Sequence, residues 1–426
     1  MNALGRHILV EFYDCPTETL NDVAHIEKSM LDAATLAEAT VISSTFHHFS
    51  PFGVSGVVVI QESHLTVHTW PEYGYASMDI FTCGDAVNPW VAYKFLQTEF
   101  GAQHGSAMEM QRGVLDLLEK QTIDVSKLRD TASKKIETIR QERNVWFTER
   151  NEAVALSLKH SGDRLYKKQS PFQKVEIYDT MAYGKMLTLD GMVMCTEGDE
   201  YAYHEMISHV AMLTHPQPKR ALIIGGGDGG AARELLRHDG LEEVVMVEID
   251  ELVIEASRQF LPTISTVFGH PRLKLLIDDG IKYVADCPDN SFDFVIVDST
   301  DPVGPAEGLF SAEFYRNVHR ILRTDGILVV QSESPRFNAK VFREIHGCFR
   351  DIFGVDQVFC YLIFVPTYPT GMWSLAYCSK GRAHPLKNLD EARAAAFTAQ
   401  HDLQYYNPAV HRAAFALPNF VSKILR

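Results

Sequence analysis

At 426 residues the chain is too long for one ordinary hydrophobic core and predicts two or three domains. Its 46% hydrophobic and 22% charged residues exclude a disordered protein, and a formal charge of −15 argues against a nucleic-acid surface or an anionic membrane as partner. Seven cysteines occur with no CxxC pair, so neither a disulfide framework nor a thiolate zinc site is suggested, and no metal is expected. The N-terminus lacks the apolar core of a signal peptide and no apolar run could span a bilayer, so a cytoplasmic protein is expected.

Residues 1–112 predict an α+β sandwich, an antiparallel sheet with helices on one face. Strand-like runs fall at His7–Tyr13, Thr40–Phe49, Gly53–Gln61, Leu65–Trp70 and Tyr75–Phe81. A helix over about 18–39 carries the apolar stripe Leu20, Val23, Ile26, Met30, Leu31 and Ala34. A second helix starts at Asn88 (N-cap) and Pro89 and runs to about Phe100. Residues 113–143 are charged and nearly free of glycine, and predict a helical interdomain linker.

From Val145 to about Met194 short alternating segments with turn signals predict a small antiparallel β domain, 144–200. Glu197–Leu213 predicts a helix. The stretch ALIIGGGDGGAARELLRHDGLEEVVMVEID (221–250) then reads as a buried strand, five glycines around Asp228, a helix, and a second strand ending on Glu248. That order makes a nucleoside-binding unit: glycines admit the ligand close to the backbone, and a strand-end acid can chelate ribose hydroxyls. Further strands at Leu273–Ile277, Phe294–Val297, Gly326–Gln331 and about 357–364 extend 201–426 into a doubly wound, Rossmann-like α/β domain.

Two groups of residues carry chemistry. Glu62-Ser63-His64 lies between two strands, with His68 and Cys83 nearby, inside FSPFGVSGVVVIQESHLTVHTWPEYGYASMDIFTCGD. That string resembles the prokaryotic S-adenosylmethionine decarboxylases over about 5–112. The resemblance implies that the Glu62–Ser63 bond breaks itself and that Ser63 becomes a covalent pyruvoyl cofactor. It also implies that Ser55 and His68 assist processing and that Cys83 reprotonates the decarboxylated carbon. A ketone carbonyl suits this work, because it forms a Schiff base with the substrate amine and draws in the electrons freed as CO2 leaves.

The second group gathers on the nucleoside unit. Asp228 inside the glycine loop would meet the carboxylate of intact S-adenosylmethionine as a like charge, but would pair with the free ammonium of a decarboxylated ligand. Asp279 follows the third strand, and Asp298 and Asp301 follow the fourth, where carboxyl-end loops carry the chemistry of such sheets. The segments YGKMLTLDGMV, DEYAYHEMISHV, IIGGGDGG, VDSTDPVGPAEGLF, VPTYPTG and YYNPAVHRAAFALPNF resemble the spermidine synthases, over about 145–426. The resemblance implies that Gln173, Glu248, Asp279 and Gly280 hold the thioadenosine part of decarboxylated S-adenosylmethionine and that Asp228 holds its ammonium. Tyr203, His204, Asp298, Asp301 and Tyr368 would line a putrescine pocket, with Asp298 the general base and Glu205 anchoring the distal ammonium through water. The pattern departs at Gly198, where many members carry Arg.

The expectation is a bifunctional enzyme of polyamine synthesis that forms a homo-oligomer, with one site making the co-substrate of the other. Two alternatives stay open at this point: a pyruvoyl domain acting on ornithine or arginine with another amine as acceptor, or a non-catalytic N-terminal scaffold.

Overall fold

The computed structural model describes residues 3–84, 86–114, 145–150, 154–300, 308–381 and 383–426. Residues 115–143 of the predicted linker helix and Asp301 lie outside the described residues, while 113 and 114 end a strand. The chain divides into two compact units, Met1–Glu137 and Thr138–Arg426. No helix among the described residues is long and apolar enough to cross a membrane.

The first unit runs β1 (Ala3–Tyr13), α1 (Thr17–Asn21), α2 (Val23–Leu36), β2 (Val41–His48), β3 (Val54–Ile60), β4 (Ser63–Trp70), β5 (Tyr75–Cys83), α3 (Pro89–Glu99) and β6 (His104–Val114). The strands form one antiparallel sheet in the order β2-β3-β4-β5-β1-β6. Alternate residues such as Ile8, Val10 and Phe12 of β1 and Leu65 and Val67 of β4 turn to one face. There they pack with Ile26, Met30, Leu96 and Phe100 of the helical layer. The predicted first helix is two: Asp22 interrupts it and caps α2, its carboxylate accepting from the N–H groups of Ala24 and His25. Asn88 caps α3 as predicted, with Pro89 at its first position. Strand β6 has no counterpart among the predicted strands.

The second unit opens with an antiparallel sheet of β7 (Val145–Arg150), β8 (Ala155–Gln169), β9 (Lys174–Thr180), β10 (Gly184–Leu189) and β11 (Met192–Thr196). There follow α4 (Glu200–Met212), β12 (Arg220–Gly225), α5 (Gly230–Leu236), β13 (Glu243–Glu248), α6 (Glu251–Phe260), β14 (Leu273–Ile277), α7 (Gly280–Asp286) and β15 (Phe292–Asp298). The chain closes with α8 (Ala312–Ile321), β16 (Leu322–Gln331), α9 (Ala339–Phe353), β17 (Val358–Phe364), β18 (Met372–Ser379), α10 (Glu391–His401), α11 (Pro408–Ala414) and α12 (Asn419–Ile424).

Strands β12 to β18 form a seven-stranded sheet in the order β14-β13-β12-β15-β16-β18-β17, antiparallel only where β18 meets its two neighbours. Its central strands are apolar on both faces because each separates two cores. Ala221 and Ile223 face one core, and Leu222 and Ile224 the other. Strand order reverses at β12, between β13 and β15, and the carboxyl ends of those three strands flank the crevice where such sheets bind ligands.

Candidate active sites

The crevice is a cavity lined by the ends of β12, β13 and β15 together with Gln173, Tyr203, His204, Asp279, Gly280 and Tyr368. Its floor is the glycine turn. Gly225 has φ +84, and a Cβ there would lie 2.1 Å from the Asp298 carbonyl oxygen. Only glycine lets β12 come this close to β15. The Gly226 N–H donates to that same carbonyl at 2.9 Å, which fixes the Asp298 strand end beside the loop.

Asp228 sits in the turn with its Oδ1 accepting from Gly230 N at 2.7 Å and facing His204 Nε2 at 3.3 Å. Burial works against its charge, but His204 holds the carboxyl below its usual range. Asp298 is partly exposed as a residue, yet its Oδ2 is closed off from solvent and has no hydrogen-bond partner among the described residues. Its Oδ1 accepts from Tyr203 Oη at 2.8 Å. Burial, then Asp228, push the Asp298 carboxyl up to about 6. Glu248, accepting from Asp250 N at 2.9 Å, is pushed by burial up to about 7. Tyr368 donates to the Met194 carbonyl at 2.8 Å and packs near Tyr203, with ring centroids 6.1 Å apart.

Gln173 joins the small sheet to this crevice, its Nε2 donating to Asp250 Oδ2 at 3.0 Å. Asp279 is exposed at the cavity edge and caps α7 through Ile281 N, while Gly280 is buried so closely on Ile224 that a Cβ would lie 2.5 Å from it. Glu205 corrects the sequence reading. It does not line the cavity; its carboxylate accepts the backbone N–H groups of Gln404, Tyr405 and Tyr406 at 2.7–2.8 Å and so holds the C-terminal segment. At Gly198 a Cβ would lie 2.9 Å from Tyr183 Cα, so an Arg there would need the backbone to shift. Glu149, Gln331 and Trp373 also line the cavity, and no local motif had marked them.

In the first unit the structure brings Glu62, Ser63 and Cys83 together. Ser63 opens β4 with φ +150, a backbone region that side-chain-bearing residues rarely occupy. The Glu62 carbonyl oxygen accepts the Cys83 N–H at 2.7 Å, and Ser63 Oγ lies 3.2 Å from His64 Nδ1. His64 had no assigned role in the sequence reading. Ser55 and His68 are not part of this group. They pair with each other across β3 and β4, Oγ to Nδ1 at 2.9 Å. His68 is five residues along β4 from Ser63, roughly 17 Å at the ordinary rise of a strand.

Elsewhere, donor atoms of His215, Asp293 and Asp325 lie within 4.8 Å of one another. Asp293 there already accepts from Lys219 N, Arg220 N and the Arg323 guanidinium, so a cation would have to compete with Arg323.

Fold and site together define a doubly wound α/β protein with a carboxylate-lined crevice at its strand-order switch. Comparison with known proteins gives its family. Residues 200–388 match the family model described as the spermine/spermidine synthase domain, and 145–197 match the spermidine synthase tetramerisation domain. Residues 6–113 match S-adenosylmethionine decarboxylase. The polyamine aminopropyltransferase of Moorella thermoacetica is 44% identical over 284 residues, which are 66% of this chain and 97% of that protein. The spermidine synthase of Thermotoga maritima superposes with a TM-score of 0.62 at 40% identity, covering 66% of this chain and 94% of that one. A spermidine synthase solved with the transition-state analogue AdoDATO gives a TM-score of 0.64 at 41% identity over 66% and 95%. The chain belongs to the polyamine aminopropyltransferase family and carries an S-adenosylmethionine decarboxylase domain ahead of it. It is a bifunctional enzyme of spermidine biosynthesis, decarboxylase and aminopropyltransferase in one chain. The decarboxylase family is pyruvoyl-dependent.

Proposed function

We propose that the first unit decarboxylates S-adenosylmethionine with a pyruvoyl group made from its own Ser63. The second unit then transfers the aminopropyl arm of the product to putrescine, releasing spermidine and methylthioadenosine. The observation that carries the transfer is Asp298, a strand-end carboxylate with one oxygen held by Tyr203 and the other enclosed without a donor among the described residues. An ammonium is the donor this oxygen lacks.

In the transfer, Gln173, Glu248, Asp279 and Gly280 hold the thioadenosine, with Glu248 on the ribose hydroxyls and Asp228 on the aminopropyl ammonium. The acceptor amine lies among Tyr203, His204, Asp298 and Tyr368. Asp298 takes one proton from the amine; a base with a pKa of about 6 does this well near neutral pH. The nitrogen–carbon bond forms as the carbon–sulfur bond breaks, and the sulfonium leaves as a neutral thioether. Positioning and the acidic lining supply the catalysis.

In the first unit, Ser63 Oγ attacks the Glu62 carbonyl carbon. The charge developing on the Glu62 carbonyl oxygen meets the Cys83 N–H already bonded to it, and His64 is within reach of the Oγ proton. The Glu62–Ser63 C–N bond then breaks to leave an ester, the Glu62 carboxylate is eliminated from the Ser63 Cβ, and water displaces the nitrogen as ammonia to leave the ketone carbonyl. The strained Ser63 backbone favours leaving the peptide state. The residues around Glu62–Ser63 therefore fit the formation of the group, which, once made, supplies an electrophilic carbonyl for the substrate amine. Cys83 delivers the proton to the carbon that has lost CO2. His68 is too far along β4 to serve its own Ser63, as is Ser55 opposite it on β3, and we assign both to the Ser63 of a second copy in a homo-oligomer. The match of 145–197 to a tetramerisation domain supports assembly.

The purified full chain is expected to run as two fragments split between Glu62 and Ser63, the second with a blocked N-terminus by intact mass. Ser63→Ala should leave one uncut chain with no CO2 release from S-adenosylmethionine and normal transfer from supplied decarboxylated S-adenosylmethionine to putrescine. An uncut parent chain, or CO2 release by the variant, would sink the pyruvoyl assignment.

A further inference from the structure

His204 lines the transferase cavity, yet both of its ring nitrogens face carboxylates of the protein. Nδ1 is 2.5 Å from Glu200 Oε2, one helical turn earlier on α4, and Nε2 is 3.3 Å from Asp228 Oδ1. A neutral imidazole has one N–H and one lone pair, so one of these carboxylates would face a lone pair; only the imidazolium can donate to both. The ring is also fixed in place, since a Cβ on Gly230 would lie 2.3 Å from it.

Behind His204 the charges continue to alternate. Arg233 Nη2 donates to Glu200 Oε2 at 2.8 Å, and Arg233 Nε to Glu234 Oε1 at 2.7 Å. Glu234 is held further by His209 and Arg237, each at 3.0 Å. The groups around His204 are therefore Glu200 from α4, Asp228 from the glycine turn and Asp298 from the end of β15, with Arg233 from α5 against Glu200 and the buried thiol of Cys195 on β11 against Asp228. Burial would drive the proton off His204, but Asp228 and Glu200 raise the ring well above the ordinary imidazole range.

The consequence falls on the acids. Asp228 and Asp298 are enclosed in one cavity, and two such carboxylates share a proton unless a fixed cation separates them. Glu200 and Arg233 do not line the cavity. We propose that these two are positioning residues for aminopropyl transfer: they hold His204 as an imidazolium against Asp228, so that Asp228 and Asp298 both enter the reaction ionised. The proposal rests on the roles given to Asp228 and Asp298 above.

The test uses the full chain. The imidazole nitrogen signals of His204, assigned by their loss in His204→Gln, should report both nitrogens protonated at pH 8 and a neutral ring in Glu200→Gln. In Glu200→Gln the acid limb of kcat/KM for decarboxylated S-adenosylmethionine should move up by about one pH unit and KM should rise roughly tenfold. Arg233→Lys should keep the parent limb, and Arg233→Gln should move it the same way as Glu200→Gln. A neutral His204 in the parent at pH 8 overturns the proposal, as does an unmoved limb in Glu200→Gln. If Glu200→Gln does not fold, the parent spectrum and the Arg233 pair decide. An unchanged KM for decarboxylated S-adenosylmethionine in Asp228→Asn would instead remove the role given to Asp228, whatever the charge on His204.

Discussion

Asp298 and Ser63 each sit at the end of a strand, in surroundings of opposite kind. Asp298 closes a parallel strand inside a crevice whose walls, from the small sheet to Tyr368, all come from one unit. Ser63 opens an antiparallel strand, with Cys83 exposed beside it and the Ser55–His68 pair at the far end of the same strand. The tension differs too. Around Ser63 it lies in the backbone, at φ +150, and chain cleavage would release it once. Around Asp298 it lies in carboxylates held away from water, and each ligand that binds would relieve it reversibly. A single-use activation step suits covalent strain, whereas a turnover cycle needs strain that returns.

The largest effect tests whether a second copy completes the Ser63 site. A chain carrying His68→Ala and a chain carrying Ser63→Ala should each remain uncut alone. Co-expressed, the His68→Ala chain should be cleaved between Glu62 and Ser63, because its partner supplies an intact His68. Fragment masses read this directly. If the mixture stays uncut, Ser63 is served within its own chain and the contrast between the two sites collapses.

The complete site should fail in a graded way. Asp298→Asn should lower kcat/KM for transfer by about 10²- to 10⁴-fold, the usual loss for a general base. In the parent, Asp298 must be ionised to act. Its pKa is raised to about 6, so kcat/KM should fall as pH drops through about 6, tenfold per unit below it. Cleavage at Ser63 should be untouched by this substitution. A parent profile flat down to pH 5 would remove Asp298 from the role of base.

Much of the transferase could be read in the sequence because its strands carry their burial openly. Leu222, Ile224, Val245, Val247, Val295 and Val297 are apolar runs that only a two-sided sheet explains, and their ends point to Glu248 and Asp298. By contrast, β6 was invisible: HGSAMEMQRGV has no apolar alternation because this edge strand is largely exposed. Glu205 was misread for another reason. It neighbours His204 in a string of site residues, but its partners are backbone N–H groups some 200 positions away, which no local pattern announces. The Glu200–His204 pair has the i, i+4 spacing of a helix face and was open to reading; its link to Arg233 comes from a different helix.

The smallest effect tests the reversible tension itself. Glu248 holds its proton up to about pH 7 in the folded chain, whereas an unfolded glutamate releases it near 4.3. Between those values the native state binds more protons than the unfolded state, so this group's contribution to stability is greatest below about pH 4. It is lost as pH rises and is gone above about 7. Across that window the loss is roughly 4 kcal/mol at about 1.4 kcal/mol per unit. Glu248→Gln keeps an acceptor for the Asp250 N–H and removes the titration. Denaturant unfolding of the second unit should therefore show a shallower decline in stability from pH 5 to 8 in the variant, with the variant the more stable at pH 8. Saturating methylthioadenosine should flatten the parent curve, because ribose hydroxyls donated to Glu248 favour its charged form. If the parent shows no such slope, or the nucleoside leaves it unchanged, then the strain at this site is not electrostatic and does not return with each turnover.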